Sequence, residues 1–480
     1  MKQTSRYAYA LAIALLLLAG ATAGAQETGT SQTSDTNLDS LFGGDIVEAA
    51  PAATAPTLDP VAAALKTDKV RLGGSFSGSL SPTATWNDLW GGTSDILFPD
   101  ATALALSLKS TLFFDARPSE DFRVYGSAKT SWPFSTTKTF LTSVAPTSAS
   151  ITAPNLSVFE LFADFSLNDK VYFRFGKSTV KWGVGYFWSP ADVINLEPIN
   201  VLDATAQREG PINFRIQIPV PNTQNNFYMY TILDKSSVDF ATTALAAKAE
   251  FLLGNYELGL GAYYRYDTAE RAMATLTGPL GNFDVFGEAM VSRGSAKTFV
   301  TGIDTSAPYT ISTSSTSDNR ESFYFSASTG FLYSSSIDNF TAVGQYYYNG
   351  EGYADSDRTA LIADAKLAIA SATMSASSQL PVLTSSLASL IYGSGQHYAA
   401  LSLSKSKLFT DKLSVSAIAV ANLSDGSGLV KPSISWAVVD NFSITLSPTF
   451  IFGPADGEYA FLAGGDTVML SLGGVVSGSF

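Results

Sequence analysis

The stretch Phe159–Asn195, FELFADFSLNDKVYFRFGKSTVKWGVGYFWSPADVIN, holds the pattern on which the fold turns. Phe159, Leu161, Ala163, Phe165 and Leu167 alternate with Glu160, Asp164 and Ser166. After Asn168–Lys170, Val171, Phe173 and Phe175 alternate with Tyr172, Arg174 and Gly176. A period of two predicts two strands with unlike faces, joined by a tight turn. Beyond Lys177 the alternation stops and an aromatic, Gly-rich insertion begins. Within it Ser189, Pro190 and Asp192 read as a helix start, with an N-cap hydroxyl, Pro at the first helical position and a carboxylate near the positive end of the dipole. The sequence therefore predicts a connection that carries a short helix and folds onto something.

Working outward, the same alternation recurs from Val70 to the C-terminus. Leu104, Leu106, Leu108, Leu112 and Phe114 stand against Ser107, Lys109, Thr111 and Asp115; Ala247, Ala249 and Phe251 stand against Lys248 and Glu250. Soluble sandwiches alternate as well, so the connections discriminate. Short turns are expected near Pro118–Asp121, Asn168–Lys170, Pro221–Asn225, Gly254–Asn255, Gly281–Asn282, Ser335–Asn339, Phe409–Asp411 and Asp440–Asn441. They alternate with longer loops near Asn87–Asp100, Pro133–Pro154, Ser178–Glu209, Asp234–Asp239, Asp267–Glu270, Ser292–Glu321, Asn349–Gly395, Asn422–Gly428 and Gly453–Asp466. Short turns on one rim and long loops on the other predict an all-β fold, a transmembrane antiparallel β-barrel of about 18 strands with short periplasmic turns and long extracellular loops.

The strands leaving the short turns begin with Phe122, Tyr172, Phe227, Tyr256, Phe283, Phe340 and Phe442, with Leu413 the exception. Rings gathered at one depth form an interfacial girdle, because an aromatic body suits the headgroup boundary. By parity nearly all point with the apolar set, Tyr172 being the doubtful one. In the last segment, Val468, Leu470, Leu472, Val476 and Phe480 share one face and Ser471, Gly473, Ser477 and Ser479 the other. With no water in hydrocarbon, the first strand near Arg71–Leu80 must pair with this last one.

Composition agrees. Of 480 residues only 15% are charged, against roughly 25% in ordinary soluble proteins. A net charge of -13 argues against a nucleic-acid partner. Residues 1–25 carry Lys2, Arg6, an apolar run from Ala8 to Ala19 and the small-residue site Ala23-Gly24-Ala25, which reads as a signal peptide cut before Gln26. Residues 26–67, rich in Ala, Thr, Ser, Pro and Asp, read as a periplasmic leader, with transient helices conceivable at Leu38–Val47 and Leu58–Leu65. The barrel is then residues 68–480.

The segment from Gly176 to Asn195, with Arg208-Glu209-Gly210-Pro211, Arg215 and Pro219 after it, resembles a poorly characterised family of bacterial outer-membrane barrel proteins. The matching residues are Gly176, Lys177, Trp182, Gly183, Trp188, Pro190, Asp192 and Asn195; Lys177 stands where many relatives carry Arg. The resemblance implies a barrel in the outer membrane of a two-membrane envelope and a porin-like role, and it gives no substrate. The terminal Phe480 resembles the signal read by the barrel assembly machinery, so that machinery, membrane lipids and small solutes are the partners expected.

Chemistry is sparse. There is one histidine, His397, and no cysteine, so thiolate, zinc and Ser-His-Asp constellations lack material and no cofactor or metal is expected. The inward pairs Glu160/Asp164 and Asp284/Glu288 read as wall residues. Arg174, Lys177, Lys181, Arg208 and Arg215 bracket the insertion, while Asp192, Glu197, Asp203 and Glu209 lie within it. These charges, with Trp182 and Trp188, are the expected pore constriction, facing rows of opposite sign at a narrowing. The expected function is a porin-like channel constricted by residues 178–209. A structural or adhesive surface barrel with a plugged lumen and a carrier for apolar compounds are the alternatives. Thr359–Met374, Ala-rich and helical in character, is expected as a solvated helix in the loop Asn349–Gly395.

Overall fold

The computed structural model describes residues 69–87, 98–141, 148–203, 206–233, 243–266, 268–314 and 321–480. The expected signal peptide and leader fall outside the described residues. β1 (Val70–Asn87), β2 (Ala101–Ser119), β3 (Phe122–Leu141) and β4 (Ser148–Leu167) are the longest strands, with 18 to 20 residues. β5 (Val171–Lys177), β6 (Ile212–Pro219) and β7 (Asn226–Leu233) are short, and β8 (Ala244–Leu253), β9 (Tyr256–Arg265), β10 (Glu270–Leu280) and β11 (Phe283–Arg293) are of ordinary length. β12 (Val300–Ile303) and β13 (Ile311–Thr313) form a separate hairpin before β14 (Phe323–Ser335) and β15 (Phe340–Tyr348). Helices α1 (Asp355–Met374) and α2 (Leu380–Ile391) follow, then β16 (His397–Lys405), β17 (Leu413–Asn422), β18 (Ser427–Val439), β19 (Phe442–Phe452) and β20 (Thr467–Ser479).

All strands but β12 and β13 join one 18-stranded antiparallel sheet in which each pairs with its sequence neighbours. The sheet closes on itself. β1 pairs with β20 from Ser75↔Ser479 to Asn87↔Thr467, and Gly74 and Phe480 exchange two backbone hydrogen bonds of 3.0 Å. Closure leaves no unpaired edge, the condition a sheet must meet in hydrocarbon. No helix among the described residues is long and apolar enough to cross a membrane; the strands cross it.

The eight expected short turns all lie on one rim, and the longer connections on the other. Gly254 and Gly281, with φ of 65° and 64°, make two-residue hairpin turns that only a residue tolerant of the left-handed region adopts readily. The outward positions form an apolar band that includes the exposed Leu112, Phe175, Met229, Leu260, Leu276 and Leu472. At its short-turn edge Phe122, Phe227, Tyr256 and Phe283 are exposed, as a girdle requires. Tyr172 shares the parity of Arg174, not of Phe173, and its hydroxyl donates to Asp169 O at 3.2 Å in the turn.

One loop boundary differs from expectation. Pro133–Pro154 is largely strand: β3 runs to Leu141 and β4 starts at Ser148, paired from Ser135↔Pro154 to Leu141↔Ser148. The prolines mislead because they sit where the register shifts, between Thr130 and Ser135, a place that tolerates a missing donor. Asn155 Nδ2 bridges the irregularity, donating to Ser131 O and Pro133 O at 3.1 Å each.

The seam supplies a test. A Cβ on Gly74 would lie 2.6 Å from Thr111 O and 2.8 Å from the Phe480 ring. Gly74→Val is expected to cost about 1–3 kcal/mol by overpacking and to lower the temperature at which the refolded barrel loses its compact gel mobility; an unchanged melt would show that the seam is not tightly closed.

Candidate functional site

The segment between β5 and β6 enters the lumen at its root. Gly176 takes φ 136°, and a Cβ there would meet Leu161 O at 2.2 Å, so the chain can leave the wall here only as glycine. Lys177 Nζ donates to Val158 O at 2.7 Å and pairs with Glu209, which ties the two ends of the segment together. Thr179 Oγ1 donates to Arg208 O at 2.5 Å, and the fully buried Asn213 donates to Pro211 O at 3.0 Å.

From this root the segment follows the inner wall. Val180, Trp182, Ala191 and Ile194 bury against Tyr230 of β7, Ala246 of β8 and Met273 of β10. Tyr186 and Phe187 bury against Phe286 of β11, Leu332 of β14, Val343 of β15, Ala400 of β16 and Val420 of β17. The Trp182 indole N–H donates to the Met273 sulfur. Trp188 stacks on Tyr347 at 5.9 Å and tilts against Tyr398 at 5.6 Å. Burying an aromatic side chain yields roughly 1.5–3 kcal/mol, so these rings hold the segment down.

Irregular backbone placed there needs partners for its amides. Two wall side chains near the middle of their strands supply them. Gln345 Oε1 accepts from Tyr186 N at 3.0 Å and Phe187 N at 2.8 Å, while its Nε2 donates to Trp188 O at 2.5 Å. Glu288 Oε2 accepts from Val184 N at 2.9 Å and the Ser189 hydroxyl at 3.1 Å. The predicted helix at Ser189 is absent: the chain makes only a turn, closed by Asp192 N to Ser189 O at 3.0 Å. Both capping groups are engaged elsewhere, Ser189 with Glu288 and Asp192 with Asn195 and Arg208.

The expected constriction charges therefore separate. Arg208 and Asp192 form a pair inside the segment, and Lys177 with Glu209 forms one at its root. Arg174 lies in the wall, gripped bidentately by Asp164 at 2.6 and 3.0 Å and stacked over Phe162 at 4.0 Å. Arg215 is in register with Arg174 on the next strand. Asp115 joins this row through Arg123 and Arg117 at 2.8 and 3.1 Å. A recess of about 450 Å³ opens among these residues at the short-turn rim. Lys181 and Glu197 are exposed. Sequence reasoning noticed Glu288 only as wall and missed Gln345; an amide at an inward position between aromatics, Val343-Gly344-Gln345-Tyr346-Tyr347, was the available signal.

Above the segment, the loops between β11 and β14 and between β15 and β16 build a cap. Ile362, Ala365, Ala368 and Ala372 of α1 pack on Leu383, Leu387, Leu390 and Ile391 of α2 and on Val300 and Ile303 of β12. The helix expected to be solvated thus has a buried face. Arg358, 4% exposed, donates to Leu390 O at 2.9 Å and Ile391 O at 3.0 Å, closing the end of α2, and pairs with Asp425 at 3.1 Å. The β19–β20 loop joins cap to segment: Tyr459 packs with the Tyr186–Phe187 cluster and Phe461 with the helical one. Between them Glu458 accepts from Tyr398 Oη and Asn422 Nδ2 at 2.9 Å and from Gly393 N at 3.1 Å. Burial pushes its carboxyl above the ordinary value of 4.5 in spite of those donors.

No family model and no curated protein matches the sequence. Among solved structures, Pseudomonas aeruginosa OccK11 (OpdR) is similar with a TM-score of 0.46 at 7% identity over 85% of this chain and 96% of that one. Acinetobacter baumannii OccAB1 has a TM-score of 0.42 at 11% identity, over 85% and 97%. Salmonella typhi OmpF in complex with daunomycin has 0.38 at 9%, again over 85% and 97%. The barrel assignment rests on this chain's own strand pairing and closure.

Two outcomes are expected. Gln345→Leu strands two buried N–H groups, each at a cost of about 1–3 kcal/mol, so hydrogen exchange at the Tyr186 and Phe187 amides should be faster in the assembled barrel; an unchanged rate would mean that the amide is not an anchor. Because the Glu458 carboxyl is raised, the docked β19–β20 loop is most stable below the usual carboxylate range and loses stability as pH rises through the raised value. Exchange protection of the Phe461 amide should fall over that interval and lose its pH dependence in Glu458→Gln.

Proposed function

We propose that this chain is an outer-membrane channel for passive diffusion of small solutes, narrowed by residues 178–209. The observation that carries it is the seating of the segment. Its apolar anchors reach from β7 to β17, whereas β1–β4 and β18–β20 carry hydroxyls and charges at many inward positions, beside the rings of Phe113, Tyr125 and Phe162. An 18-strand barrel is too wide for its own side chains to fill, so a segment laid along one wall narrows the passage to the polar remainder. Pairing of Arg174, Lys177 and Arg208 with carboxylates gives the narrowing a mixed field with modest preference between cations and anions. Trp182 and Phe187 are turned into the wall and buried, which disfavours a track for apolar solutes. Export by the signal peptide of residues 1–25 and recognition of Phe480 by the assembly machinery complete the reading.

A second reading, a plugged surface barrel, draws support from the cap and its latch at Arg358–Asp425. Planar-bilayer recording separates the two. The refolded protein is expected to conduct, and deleting Trp182–Leu196 to raise single-channel conductance by about twofold or more. Unchanged conductance in a correctly inserted deletion barrel would sink the constriction, and a silent wild type would favour the plug.

A further inference from the structure

The inward wall is divided by chemistry. On β2–β6 it carries Lys109, Asp115, Arg123, Asp164, Arg174 and Arg215. On β19, β20 and β1 the one charged residue is Arg71, at the rim. In its place β1 presents Ser75, Ser77, Ser79, Ser81, Thr83 and Thr85 at consecutive inward positions, none of them buried, while Phe76, Leu80 and Trp86 take the outward ones. On β20 the row continues at Ser471, whose hydroxyl lies 3.2 Å from that of Thr83. On β18 and β19 Ser433 lies 3.0 Å from the Ser447 hydroxyl and Thr445 donates to Ser435 at 2.9 Å. Ser447 and Thr445 are buried, however, and Lys431 shares the inward face of β18, so the open uncharged row is that of β1 and β20. The segment's apolar anchors fall on β7–β17, away from β1.

We propose that this uncharged hydroxyl wall makes neutral polyhydroxylated solutes, polyols and saccharides, a preferred class of cargo, an inference that rests on the channel reading above. A hydroxyl both donates and accepts and turns to suit its partner. A row of them can replace the water around a hydroxylated solute group by group, with no charge of its own. Inward side chains on one strand recur about every 6.8 Å, and neighbouring strands are about 4.8 Å apart, so successive hydroxyls of an extended solute meet successive wall groups. The mutual bonds at 2.9–3.2 Å hold the wall hydroxyls in place while leaving each with further capacity. The charged wall begins on the adjoining strand, where Lys109 stands in register with Ser77; it holds its own water and favours ionic solutes, so the two classes are served by neighbouring parts of one passage.

The experiment uses the full-length refolded protein in liposomes and planar bilayers, with sorbitol and potassium chloride as probes. The variant Ser79→Ala/Ser81→Ala/Thr83→Val/Ser471→Ala removes hydroxyls and does not narrow the lumen. Sorbitol entry by osmotic swelling is expected to fall about fivefold, the factor one net hydrogen bond carries, with chloride conductance unchanged. The conservative Ser79→Thr/Ser81→Thr variant should keep sorbitol entry. Unchanged sorbitol entry in the hydroxyl-free variant, or a parallel fall of sorbitol entry and conductance, overturns the proposal. If four changes prevent assembly, Ser79→Ala/Ser81→Ala alone decides by the same criteria. A wild type that passes neither probe fails in a different way, by removing the channel reading itself.

Discussion

The structure depends on one constraint: inside a bilayer every backbone N–H and C=O must find its partner within the protein. That constraint closes β1 on β20 and sets Gly74 against Phe480. Closure of 18 strands makes a lumen, and a segment that packs against its wall meets the same demand wherever its backbone is buried. The segment after Gly176 is irregular, so its amides cannot be satisfied by a ladder. Glu288 and Gln345 reach from the wall to serve them, which makes two polar residues at mid-strand part of the segment's fold.

Above the bilayer the governing term changes from backbone pairing to burial. The small α1 residues Ala365, Ala368 and Ala372 let two helices approach and cover Leu383 and Leu390 completely. The polar groups trapped by that packing, Arg358, Asp425 and Glu458, are joined to loop carbonyls, amides and hydroxyls. A charge left alone there would cost more than the pair returns, so the network accompanies the apolar core. Tyr459 and Phe461, two residues apart, bring cap and lumen segment into one continuous packing.

What could be read from the sequence follows the same division. Strand number, turn side and closure were legible because a two-residue period survives any tertiary detail, as in Leu104–Phe114 or Val468–Phe480. Ser189-Pro190-Asp192 misled because a helix start is a local signal, and Glu288, about a hundred residues away, competes for the same hydroxyl. Pro133 and Pro154 looked like loop ends because composition does not reveal a register shift that excuses a missing donor. The charges of the segment were legible as a set, but their division into the pairs Lys177–Glu209, Arg208–Asp192 and Arg174–Asp164 depends on folding of the chain. Gln345 could be noticed as an amide among aromatics, yet nothing local says which amides it serves.

The position of the lumen segment also bears on the order of events in assembly. Its seats lie on β7–β17, and the join between the first and last strands lies elsewhere on the circumference. A sheet still lying open can therefore receive Trp182 and Phe187 from above before its margins meet, with no need to thread a loop through a finished ring. The seating of Trp182 and Phe187 and the zipping of β1 to β20 thus draw on different strands, and neither blocks the other.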